Sequence, residues 1–130
     1  MAEKTEYMES VQEPKEDQVG HVMIADDVVT TIAAFAATET KGVTSLAGGI
    51  VSEAIGKMSR KNLQKGVKVE TVDGVVNAQI TIHIDYGYNI PEICATVQDK
   101  VKSAIEIMTG LTVREVNIQV AGVNVDNTGK

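Results

Sequence analysis

Polar and apolar residues alternate without a break from Ala78 to Asp85. Ala78, Ile80, Ile82 and Ile84 fall on one side, and Gln79, Thr81, His83 and Asp85 on the other. This period of two within VVNAQITIHID (75–85) predicts a strand with one buried and one wet face. VKVETV (67–72) is a second strand-like run, and the Asp73-Gly74 dipeptide between the two predicts a hairpin turn. VREVNIQVAGV (113–123) alternates again, with Val116, Ile118 and Val120 inward.

Elsewhere the period is helical. Val29, Ile32, Ala33 and Ala36 mark one buried stripe between Val28 and Thr38, with Asp26 or Asp27 expected to cap its start. HVMIA (21–25) ahead of it reads as a short strand, and VTSLA (43–47), after Gly42, as another. In IVSEAIGKMSRKN (50–62), Ile50, Val51, Ala54, Ile55 and Met58 fall at helical spacing, although Gly56 weakens that helix. The longest stripe is Ile93, Cys94, Val97, Val101, Ala104, Ile105 and Met108, in a helix expected over 90–109 and closed by Gly110.

The stretch YGYNIPE (86–92) joins strand to helix. Gly87 turns the chain, Asn89 is the expected N-cap with Glu92 completing a capping box, and Pro91 sits where a missing N–H costs nothing. Each residue there has a local structural role.

The resulting order, β-α-β-(α)-β-β-α-β, belongs to the α+β class. It predicts a two-layer α/β sandwich: one sheet with helices on one face, and a right-handed parallel crossover through the helix at 90–109. Residues 1–18 have no periodicity and read as a disordered acidic tail, 19–123 as a single domain and 124–130 as a flexible C-terminus.

Charge changes this picture only locally. Of the formal net charge of −6, residues 1–18 supply six acids against two bases, leaving the remainder close to balance. Acidic balance argues against DNA, and the near absence of aromatic side chains argues against RNA held by base stacking. One cysteine suits a reducing compartment, and no secretory signal or membrane-spanning run is apparent, so a cytoplasmic protein is expected.

Candidate chemistry is sparse. His83 and Asp85 share a strand face, but no nucleophile or oxyanion motif accompanies them, and a solvated face accounts for both. His21, His83 and Cys94 lack metal-ligand spacing, Cys94 reads as core, and no phosphate-binding loop is present. No catalytic, metal or cofactor residues are therefore expected. Lys57, Arg60, Lys61, Lys65 and Lys68 form a run of bases with no acid among them. It is either a solvated surface or a docking patch for an anionic partner. The polar sheet face with Gln79, Thr81, Asn117 and Gln119 is a second candidate surface.

Taken in order, DDVVTTIAAFAATETKGV, KGVKVETVDG, YGYNIPEI, VQDKVKSAIEIMTG and VREVNIQVAGV resemble the alkaline-shock (envelope stress response) protein family of Gram-positive bacteria. The likeness covers about residues 20–123, while 48–65 departs from the family pattern. It implies a small cytoplasmic stress protein that is not an enzyme and has no defined catalytic residues. It also implies self-association into a homo-oligomer and attachment to the inner face of the cell membrane through a membrane-anchored partner, in cell-envelope homeostasis. The alternative is an RNA- or ribosome-associated module using the basic loop.

Overall fold

A computed structural model describes Gly20 and residues 22–125. The element order is α1 (Asp26–Thr38), β1 (Val43–Leu46), α2 (Ser52–Ile55), α3 (Arg60–Leu63), β2 (Val67–Val72), β3 (Val75–Asp85), α4 (Ile90–Thr109) and β4 (Thr112–Asn124). The architecture is the expected α+β sandwich, one four-stranded sheet beneath helices. The expected acidic tail, His21 and most of the expected C-terminal tail lie outside the described residues.

Strand β3 organises the sheet. Along one edge it pairs antiparallel first with β2, from Val75 to Ile80, and then with β1, from Ile82 to Ile84. Along the other edge β4 runs parallel to its whole length, as a crossover through α4 requires. The hairpin turn has Asp73 at φ 53° and Gly74 at φ 77°, the two positive angles of a type I′ turn. Val76, Ala78, Ile80, Ile82 and Ile84 are all buried on the face under the helices.

Thr81 marks the point where one edge partner gives way to the next. Its N–H donates to the Gly66 carbonyl (2.8 Å) and its carbonyl accepts from the Ala47 N–H (2.9 Å). The excursion from 47 to 66, which carries α2 and α3, is thereby pinned at both ends to one residue. A Cβ on Gly66 would lie 2.7 Å from Leu46 Cβ and 3.2 Å from the Ala47 nitrogen, so this closure needs glycine.

Helix α4 has the N-cap residue and the C-terminal glycine that its sequence predicts. Asn89 Oδ1 accepts from the Glu92 N–H (3.0 Å), and Gly110 ends the helix in a left-handed conformation. Ile93, Val97, Val101 and Ile105, each four residues on, are buried. Removing such side chains from water contributes roughly 1.5–3 kcal/mol apiece. On α1, Val29, Ile32, Ala33 and Ala36 are buried as expected, joined by Thr30, Ala34 and Ala37.

Four expectations are corrected. Residues 22–25 form no strand: they pair with no strand of the sheet, and Val22 and Met23 are 90% and 91% exposed. Ala25, with no capping side chain, is the N-cap of α1, and Asp26 and Asp27 fall inside the first turn, where they face the positive end of the helix dipole. The single helix expected over 50–62 is two four-residue helices, the first ending at Gly56. Met108, assigned to the inward stripe of α4, is 69% exposed.

Candidate functional site

The base-rich segment is placed mostly on the α2–α3 excursion. Lys57, Lys61 and Lys65 are exposed there, and Arg60 opens α3, its side chain outside the described set. The stem of Lys65 lies over Gly48, where a Cβ would be 3.4 Å from Lys65 Cδ. Lys68 belongs to a different surface. It pairs in register with Gln79 on the helix-free face of the sheet, and with Glu70, Asn77 and Asn117 it borders a shallow hollow of about 210 Å³. The five bases therefore divide between the excursion and the sheet face.

That sheet face is polar, as its alternation predicts. Gln79 and Asn117 are register partners, as are Thr81 and Gln119. Asn77 Oδ1 is buried there without a hydrogen-bond partner. His83 and Asp85 also lie on this face but engage different neighbours. The imidazole packs over Gly122, 3.0 Å from where a Cβ would stand, while Asp85 Oδ1 accepts from Thr44 Oγ1 at 2.5 Å. This geometry holds Asp85 to β1 and does not couple it to His83.

The remaining ionisable groups serve packing. Burial raises the Cys94 pKa, which keeps the thiol protonated and a poor nucleophile. Glu106 is lowered by the Val113 N–H, which donates to Oε2 at 2.9 Å, and by Lys102 at 3.0 Å on the same oxygen. Its carboxylate thus ties the end of α4 to the start of β4. Among the described residues no three His, Cys, Asp or Glu side chains are grouped to hold a metal ion.

The YGYNIPE joint also has structural work. The Asp85 N–H donates to the Gly42 carbonyl (2.8 Å) and the Tyr86 N–H to the Asn124 carbonyl (2.9 Å), tying β1, β3 and β4 together at one end. Tyr88 and Ile93 close over Gly42.

What the sequence pattern did not single out is a groove between α1 and α4 of about 640 Å³. Its floor and walls are Val28, Ile32, Phe35 and Ala36 from α1, with Ala104 and Met108 from α4. Asp27 lines it at the α1 start, and Glu39 at the other end. A shallower hollow of about 410 Å³ continues it past Glu39 to Asp99, Lys100 and Ser103. The start of α1 therefore faces the end of α4, and the helices run antiparallel. Two small side chains, Ala36 and Ala104, open the notch. The signal available in the sequence was the apolar Val28 and Phe35, seven residues apart and so on the same flank of the buried stripe of α1.

Comparison with known proteins gives consistent matches. The profile of the alkaline-shock protein family, described by a cell envelope-related function, matches residues 14–125. The chain is 30% identical over 112 residues to the uncharacterized protein YqhY of Bacillus subtilis (strain 168), covering 86% of this chain and 83% of that one. It is 33% identical over 115 residues to the uncharacterized protein Spy1535 of Streptococcus pyogenes serotype M6, covering 88% and 87%. Among solved structures, the MamM CTD in its copper form is similar with a TM-score of 0.48 at 12% identity, over 80% of this chain and 92% of that one.

Proposed function

This chain belongs to the alkaline-shock protein family, whose described function is related to the cell envelope, and from that premise we propose that it is a non-catalytic cytoplasmic scaffold. In this reading it self-associates and docks a membrane-anchored partner at the inner face of the membrane. The observation that carries the reading is the match of the family profile across residues 14–125, which includes every element of the fold. No helix among the described residues is long and apolar enough to cross a membrane. In the proposal the partner supplies the anchor.

The site geometry supports a binding role. His83, Asp85 and Cys94 are each engaged in packing or hydrogen bonds, whereas Lys57, Lys61 and Lys65, the polar sheet face and the α1/α4 groove are open to a partner. Affinity capture from crosslinked cells, scored for membrane proteins against RNA and ribosomal proteins, tests the reading. Enrichment of a membrane-anchored protein is expected. Capture that yields ribosomal proteins and RNA, and is lost steeply with salt, would replace the reading with an RNA-associated module. Substitution of Lys57, Arg60, Lys61 and Lys65 by glutamate tests the basic segment, and unchanged capture removes that segment from the account.

A further inference from the structure

The α1/α4 groove has the dimensions and chemistry of a helix-binding site. Helix α1 has 13 residues, about 20 Å of length, so the groove accommodates roughly three to four turns of a third helix. Its walls leave large apolar side chains in water: Val28 is 48% exposed and Met108 69%. A continuous apolar surface of this kind marks an interaction site, and the flexible thioether of Met108 suits an adaptable contact. Phe35, the one phenylalanine of the chain, stands at this groove and is only partly buried. A stripe at i, i+3, i+4 and i+7 on an incoming helix is the pattern that fills such a groove.

The charges around the groove select the occupant. Glu39 and Asp99 lie together at one end with a single lysine, Lys100. A second copy seated here through the same face would set these acids against their own kind. Residues 1–18 of this chain, with six acids and two bases, have the wrong sign as well. The excursion with Lys57, Lys61 and Lys65 has the right sign, but it presents Asn62 and Gln64 rather than an apolar stripe, and its helices are four residues long. The fitting occupant is apolar on one face and cationic beside it.

We infer that the groove docks a cationic amphipathic helix, provided by the cytoplasmic flank of the membrane-anchored partner. The inference rests on the docking reading above and specifies its surface. Cytoplasmic segments next to membrane spans are enriched in lysine and arginine, so an anchored partner carries this chemistry where it is needed.

The test uses the full chain and two synthetic peptides of 18 residues. One is an amphipathic helix with leucines at i, i+3, i+4, i+7 spacing flanked by lysines, and the other is a scramble of the same composition. Fluorescence anisotropy is expected to show at least tenfold tighter binding of the patterned peptide. Val28→Glu with Met108→Glu, both at exposed positions, is expected to weaken that binding at least tenfold with unchanged circular dichroism. Glu39→Lys with Asp99→Lys is expected to weaken it too, and to favour a peptide with glutamate in place of lysine. Equal binding of patterned and scrambled peptides overturns the inference. So does loss of self-association in the Val28→Glu, Met108→Glu variant, measured by sedimentation, with peptide binding intact, because the groove is then an interface between copies. Membrane-protein capture separates the two levels. If that variant still captures the partner, the groove assignment fails while docking stands; if the wild type captures no membrane protein, the docking reading itself fails.

Discussion

Replacing Gly42 by alanine should destabilise the protein more than replacing Gly87, although their φ angles are nearly alike. Gly42 has φ +99° and Gly87 φ +101°, so a side chain at either position is strained by its backbone. That penalty is about 1–2 kcal/mol for an L-residue forced into left-handed space. The surroundings differ. A Cβ on Gly42 would lie 2.6 Å from Ile93 Cδ1 and 3.0 Å from the Tyr88 ring, whereas Gly87 has nothing within 4 Å. The Ile93 methyl is the end of a flexible side chain and can turn aside, but the tyrosine ring also crowds the site. Overpacking of this sort costs about 1–3 kcal/mol.

Gly42→Ala is therefore expected to lose about 2–5 kcal/mol and Gly87→Ala about 1–2 kcal/mol, out of a total stability of about 5–15 kcal/mol. Urea unfolding of both variants measures the difference, read as a lower midpoint at constant slope. Adding Ile93→Val to Gly42→Ala removes the closest atom, so the double variant should be more stable than the sum of the single losses implies. Equal losses at Gly42 and Gly87, or strict additivity with Ile93→Val, would refute the view that the joint is locked by packing over Gly42.

Asn89→Ala removes the side-chain acceptor for the Glu92 N–H and is expected to cost about 1 kcal/mol in denaturant unfolding. Glu106→Gln tests the link between α4 and β4. The folded-state pKa of Glu106 is lowered, so its charge stabilises the fold above the ordinary carboxylate range, and that contribution fades as pH falls through the lowered value. The gap in Tm between wild type and Glu106→Gln should shrink on acidification, and a gap that widens contradicts the assignment. Cys94, its pKa raised by burial, should react with iodoacetamide at pH 8 more slowly in the folded protein than in urea-unfolded chain, and equal rates would place the thiol in open solvent.

The hairpin and α4 were legible because each is determined by neighbours in sequence. Asp73-Gly74 sets the turn, the period of two sets the faces of β3, and Asn89 and Gly110 bound a stripe that repeats every three to four residues. The strand expected at 21–25 is not formed by its described residues 22–25, for a reason no local pattern carries: a strand exists only by pairing with another, and these residues pair with none. The groove escaped for a related reason. Helical periodicity tells which residues of α4 share a side, but not whether another layer covers that side. Ile93, Val97, Val101 and Ile105 are buried, while Ala104 and Met108, on the flank of the same stripe, line the groove with α1. An apolar stripe wider than the layer that covers it is thus the trace such a groove leaves in a sequence. In this chain that trace includes Met108, a residue whose pattern assigned it to the core.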